Sequence, residues 1–163
     1  MNEQTQLPFK SSSRLVTRGL CKSYDGRLVV DHVDIEVTGG EIVALLGRNG
    51  AGKTTTFLML AGIVAPDSGS IELDGTPIGT MNSAERARSG LVYLPQQHSV
   101  FMKATAWENL YMVLQLYRDP FRAKSEAEEL LDEFGLIDVR DSQAFQLSGG
   151  EKTRGALAVL LLK

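Results

Sequence analysis

Residues 47–54 read Gly47-Arg48-Asn49-Gly50-Ala51-Gly52-Lys53-Thr54, which satisfies the phosphate-loop spacing G-x-x-x-x-G-K-[ST] at every fixed position. Such a loop functions between a strand and a helix, so it constrains its neighbours as well as itself. Upstream, Glu41-Ile42-Val43-Ala44-Leu45-Leu46 is an apolar run flanked by glycines, the pattern of a buried central strand. Downstream, residues 53–61 fit a helix that stops at Gly62.

The residue types dictate the chemistry. Gly47, Gly50 and Gly52 are expected at positive φ, turning successive main-chain N–H groups toward one cluster of anionic oxygens. The start of the next helix adds unpaired N–H groups and the positive end of its dipole. Lys53 carries a full charge to the β- and γ-phosphates, and Thr54 offers a hydroxyl to Mg²⁺. The rival dinucleotide fingerprint G-x-G-x-x-G fails, because Gly50-Ala51-Gly52 is followed three residues later by Thr55. No N-K-x-D motif for reading guanine occurs either.

Ahead of the loop, alternating residues from Arg14 to Leu20 and from Val29 to Val37 predict an antiparallel hairpin, turned at Tyr24-Asp25-Gly26-Arg27. Tyr24 at its tip is an exposed aromatic near a phosphate loop, a place from which a ring can stack on a purine base. Pro66-Asp67-Ser68-Gly69 reads as a turn, residues 70–74 as a strand closed by Asp74-Gly75, and residues 82–88 as a short helix ending before Gly90. Leu91-Val92-Tyr93-Leu94 then reads as a second buried strand, delivering Gln96 at its C-terminal end, where ligands collect in open α/β sheets.

The character then becomes helical. Thr105 and Glu108 form a capping box, and Trp107, Leu110, Leu114 and Tyr117 follow at helical spacing. A second helix, about residues 122–134, directs Ala127, Leu130, Leu131 and Phe134 inward and stops at Gly135. Ser148 and Glu151 form another capping box in Leu147-Ser148-Gly149-Gly150-Glu151, a helix start whose glycines leave the first amides uncovered and suited to an anion.

These motifs, in this order, resemble the nucleotide-binding domains of ABC transporters. The resemblance runs from about Leu15 to the C-terminus. Tyr93-Leu94-Pro95-Gln96, Ser99-Val100-Phe101 and Glu108-Asn109-Leu110 look most like the lipopolysaccharide-export ATPases, with branched-chain amino-acid transport ATPases next. The fold implied is α/β, a phosphate-loop NTPase of ABC type. It has an antiparallel N-terminal β part, a phosphate-loop core and a helical subdomain at about residues 98–146, with C-terminal core strands missing.

The resemblance also implies roles for individual residues. Tyr24 would stack on adenine, and residues 47–54 with Arg48, Asn49 and Ala51 would wrap the phosphates. Thr55 would lie near the α-phosphate, and Thr54 and Gln96 would serve the metal, Gln96 also sensing the γ-phosphate. Ser148, Gly149 and Gly150 would face the nucleotide of the opposite subunit, so that a homodimer sandwiches two ATP molecules. The helical insert would receive a transmembrane permease subunit, placing the chain in the cytoplasm, peripheral to the inner membrane.

The sequence ends at Lys163, before the family's Mg²⁺-binding aspartate, water-activating glutamate and switch histidine. His32 and His98 precede the required position and read as surface residues. Residues 155–162 also lack the basic residue usual in that apolar run. ATP hydrolysis coupled to transport is therefore expected by family, and the alternative is a truncated module that binds ATP without turning it over. The chain reads as a fragment, a frameshifted form or a degenerate copy.

The composition is that of an ordinary soluble protein. The net charge of −3 gives no electrostatic reason to bind nucleic acid or anionic lipid. No apolar stretch reaches the ~18 residues of a membrane span. Residues 1–13 are polar and read as a mobile tail without the apolar core of a signal peptide. The single cysteine, Cys21, has no histidine near it in sequence and reads as a small hydrophobe at a strand edge.

Overall fold

A computed structural model describes residues 13–95 and 100–160. The chain divides into two compact units, Met1–Tyr93 and Leu94–Lys163, each with its own apolar core. The expected tail lies outside the described residues apart from its last member, Ser13.

In the first unit, β1 (Arg14–Tyr24) and β2 (Arg27–Thr38) form an antiparallel hairpin. Asp25 (φ 48°) and Gly26 (φ 77°) both take positive φ, the two-residue turn whose twist matches a right-handed hairpin. A second Asp-Gly pair, Asp74 (φ 52°) and Gly75 (φ 76°), joins β3 (Ser68–Leu73) to β4 (Thr76–Pro77). The sheet order is β2-β1-β3-β4, antiparallel throughout. Val33, Ile35 and Val37 are partly buried while Asp34 and Glu36 are exposed, as the period of two requires.

Helix α1 (Lys53–Leu60) packs Met59 and Leu60 against Leu20, Val30, Ile71 and Ile78 of this sheet. Helix α2 (Ser83–Arg88) is capped by Asn82, whose side chain accepts from the Glu85 N–H while Glu85 returns a bond to the Asn82 N–H. Its Arg86 is 1% exposed.

Two expected strands are not strands. Residues 41–46 and 91–94 are irregular, and Ile42 is fully exposed at 100%. An apolar run becomes a strand only when a neighbour takes its main-chain hydrogen bonds, and among the described residues no strand pairs with either segment. They border an open apolar cavity of about 190 Å³ lined by Ile35, Val37, Val43, Leu45, Phe57 and Leu91 among others.

The second unit is helical. Helix α3 (Ala106–Leu114) starts at the Thr105–Glu108 capping box, with bonds of 3.0 and 2.7 Å. Leu110 and Leu114 are buried, whereas Tyr117 lies beyond the helix end and is exposed, so it leaves the expected stripe. Helix α4 (Pro120–Glu133) starts two residues earlier than expected, because Asp119 caps the N–H groups of Phe121 and Arg122 and Pro120 presets the first turn. Buried Asn109 pins the segment entering α3, accepting from Phe101 N–H and donating to the carbonyls of Phe101 and Thr105. Helix α5 (Gly149–Leu160) completes the unit.

Candidate functional site

The phosphate loop is held against β2. A Cβ at Gly52 would lie 2.4 Å from the Val29 carbonyl oxygen and 3.1 Å from Val30 Cγ2. Gly52 also sits at φ 82°, so two separate constraints demand glycine there. Gly50, at φ 83°, needs it for conformation alone, since open space surrounds its missing Cβ. Gly47 corrects the expectation, because it does not take positive φ among the loop glycines. Its requirement is room: a Cβ there would stand 3.2 Å from Ala51 Cβ and 3.8 Å from Lys53 Cδ.

The loop closes by a turn in which Ala51 N–H donates to the Arg48 carbonyl at 3.1 Å. Lys53 Nζ donates across it to the carbonyls of Gly47 at 2.5 Å and Arg48 at 2.8 Å. Gly52 is the N-cap of α1, provides no side-chain cap, and no acidic residue stands in the first turn. The leading amides of α1 therefore have no side-chain cap, and the Lys53 ammonium stands on the carbonyls of the loop that precedes them. Thr54 is exposed and Thr55 partly buried. Thr56 serves the fold instead, donating from Oγ1 to the Gly52 carbonyl at 3.0 Å.

Tyr24 ends β1 opposite Arg27, at the end of the hairpin from which β2 runs into the Val29 contact with Gly52. Its side chain is half exposed, with Lys22 Nζ 5.7 Å from the ring centroid. Asn49 lies in the turn at the loop's tip. Gln96 lies outside the described residues. In the second unit, Ser148 N–H donates to Glu151 Oε2 at 2.7 Å, and Glu151 N–H donates back to Ser148 Oγ at 3.3 Å. The Ser148 hydroxyl, with its main-chain N–H, holds the Glu151 carboxyl below its usual range. Among the described residues, a side chain at Gly149 or Gly150 would meet open space.

Sequence reasoning missed two features. Arg86 stabilises the end of α1 from within the core, and only the capped polar stretch 82–88 hinted at a docked helix. Cys21 has His32 beside it after all, since the His32 main-chain N–H donates to Cys21 Sγ at 3.3 Å. The hairpin register, invisible in linear spacing, brings them together.

A glycine loop pressed on a sheet, a lysine across its mouth and a bare helix N-terminus define a phosphate-loop domain for nucleoside triphosphates. The family model described as "ABC transporter" matches residues 30–163. This chain belongs to that family.

The expected likeness to lipopolysaccharide-export ATPases is borne out. The chain is 45% identical over 148 residues to the lipopolysaccharide export system ATP-binding protein LptB of Haemophilus influenzae, covering 90% of this chain and 61% of that protein. It is 46% identical over 147 residues to the protein of that name in Escherichia coli K12, covering 88% and 61%. The chain thus spans about three fifths of the length of these relatives.

Solved structures agree on the fold. CbiO1 of Clostridium perfringens, part of an ABC transporter complex, aligns with a TM-score of 0.78 and 27% identity over 91% of this chain and 61% of that one. The ADP conformation of MJ1267, an ATP-binding cassette of an ABC transporter, gives 0.75 at 23% identity, covering 92% and 65%.

Proposed function

We propose that this chain is the ATP-binding part of an ABC transporter and takes Mg-ATP at residues 47–54. The observation that carries the reading is the α1 N-terminus, capped by Gly52 without a side-chain bond and spanned by Lys53. The main-chain amides of residues 50–54 bind the phosphates, and Lys53 supplies charge to the β- and γ-phosphates. Thr54 and Gln96 hold Mg²⁺, which when bound neutralises charge on the phosphate oxygens. Tyr24 stacks on the base, and Thr55 lies near the α-phosphate.

By family, two such chains pair so that Ser148, Gly149 and Gly150 of each face the other's nucleotide. ATP hydrolysis is then coupled to a transmembrane permease at the cytoplasmic face of the inner membrane. No helix among the described residues is long and apolar enough to cross a membrane, so the membrane part belongs to a partner in this reading. The names of the similar proteins favour lipopolysaccharide export as the process served.

Titration of a fluorescent ATP analogue with Mg²⁺ tests the site. Lys53→Ala is expected to weaken binding about 100-fold, since it removes charge-assisted bonds to phosphate. Unchanged affinity in that variant would sink the assignment. Phosphate release measured alongside separates an ATPase from a module that only binds.

A further inference from the structure

We propose that the β1–β2 hairpin carries a site for a thiophilic divalent cation, Zn²⁺ in class, built from Cys21, Asp31 and His32. The ladder pairs Leu20 with Val33 and Lys22 with Val30. One residue on β1, Cys21, therefore faces two on β2, Asp31 and His32, which is a β-bulge. His32 takes φ 47°, a conformation a histidine rarely adopts, and this sets the bulged pair over the cysteine. One donor atom from each of the three residues then lies within 4.8 Å of the others.

The donor set names the ion. Thiolate and imidazole with one carboxylate suit Zn²⁺, whereas Mg²⁺ and Ca²⁺ take oxygen shells. Two contacts prearrange the donors. His32 main-chain N–H donates to Cys21 Sγ at 3.3 Å, which fixes the bulged residue beside the sulfur. Asp31 Oδ1 lies 2.5 Å from His32 Nδ1, a contact that orients the imidazole ring. Cys21 is buried while Asp31 and His32 are exposed, leaving the ion reachable from solvent with a fourth position for water. The ligands are not among the residues assigned to nucleotide.

Titrating the metal-stripped chain with Co²⁺, without nucleotide, reads the site directly. One equivalent is expected to give a thiolate-to-cobalt absorption band, displaced by Zn²⁺ and left unchanged by a tenfold excess of Mg²⁺. Cys21→Ser should abolish the band. His32→Asn should weaken binding at least tenfold, and asparagine tolerates the left-handed conformation, so the hairpin survives. Protection of Cys21 from alkylation by Zn²⁺, lost in His32→Asn, gives a second reading on a folded chain. No band with Co²⁺ in excess, unchanged affinity in Cys21→Ser, or displacement by Mg²⁺ would each overturn the proposal.

Discussion

The guanidinium of Arg86 donates to the main-chain carbonyl of Met59 at 2.6 Å, and to that of Leu60 at 2.8 Å, from inside the core of the first unit. Further bonds run to Met81 and Gly79 at 3.0 and 3.1 Å. The last turn of a helix leaves its carbonyls without partners, and here one planar fork serves that end of α1. Burial pulls the Arg86 pKa down.

Arg86→Met is expected to destabilise the chain by about 3 kcal/mol, because the buried carbonyls of Met59 and Leu60 and the part-buried ones of Gly79 and Met81 lose its hydrogen bonds. Arg86→Lys keeps the charge but not the fork, and should recover less than half of that loss. Urea unfolding of the three proteins measures both, and an Arg86→Met midpoint equal to wild type would contradict the role.

Gly52 and Gly50 separate collision from conformation. Gly50→Ala costs only the left-handed backbone, about 1–2 kcal/mol, and should leave a folded chain with a disturbed loop. Gly52→Ala adds a main-chain clash at 2.4 Å with Val29, so it should lose both thermal stability and nucleotide binding. Thermal melts with and without the ATP analogue distinguish the two. Equal losses would mean that the loop does not press on β2.

Glu151 gives a pH dependence. Its folded carboxyl is held below the usual range by the Ser148 hydroxyl and main-chain N–H. A depressed folded pKa contributes stability above the unfolded pKa of about 4.3, and the contribution disappears as pH falls through the lower folded value. Glu151→Gln should therefore be less stable than wild type at pH 7, with the gap closing as pH is lowered below 4.3 or so. Denaturation midpoints across that range report it, and a gap independent of pH would exclude the carboxylate as its source.

Tyr24→Ala should weaken binding of the ATP analogue about 5- to 150-fold, the range that base–aromatic stacking supports. Tyr24→Phe should bind like wild type, since the ring and not the hydroxyl makes the contact. Equilibrium titration of both variants checks it, and full affinity in Tyr24→Ala would remove the stacking role.

Local chemistry made much of the molecule readable in advance. Asp25-Gly26 and Asp74-Gly75 specify their turns through conformational preference, and Thr105 with Glu108 writes a helix start within four residues. The phosphate loop was legible for the same reason, though Gly47 was read for φ when it is needed for space. What stayed hidden depends on pairing between distant segments. Whether residues 41–46 become a strand depends on a neighbour, which an apolar run does not encode. Arg86 and the Cys21–His32 contact likewise depend on where separate elements dock, and neither carries a period or a spacing.

The irregular segment 41–46 leads directly into the phosphate loop, so the loop's upstream anchor is unsecured while its downstream anchor, α1, is packed in the core. Each residue of that segment fixed on nucleotide capture costs about 1 kcal/mol of conformational entropy. A strand partner that hydrogen-bonds the segment beforehand would meet part of that cost.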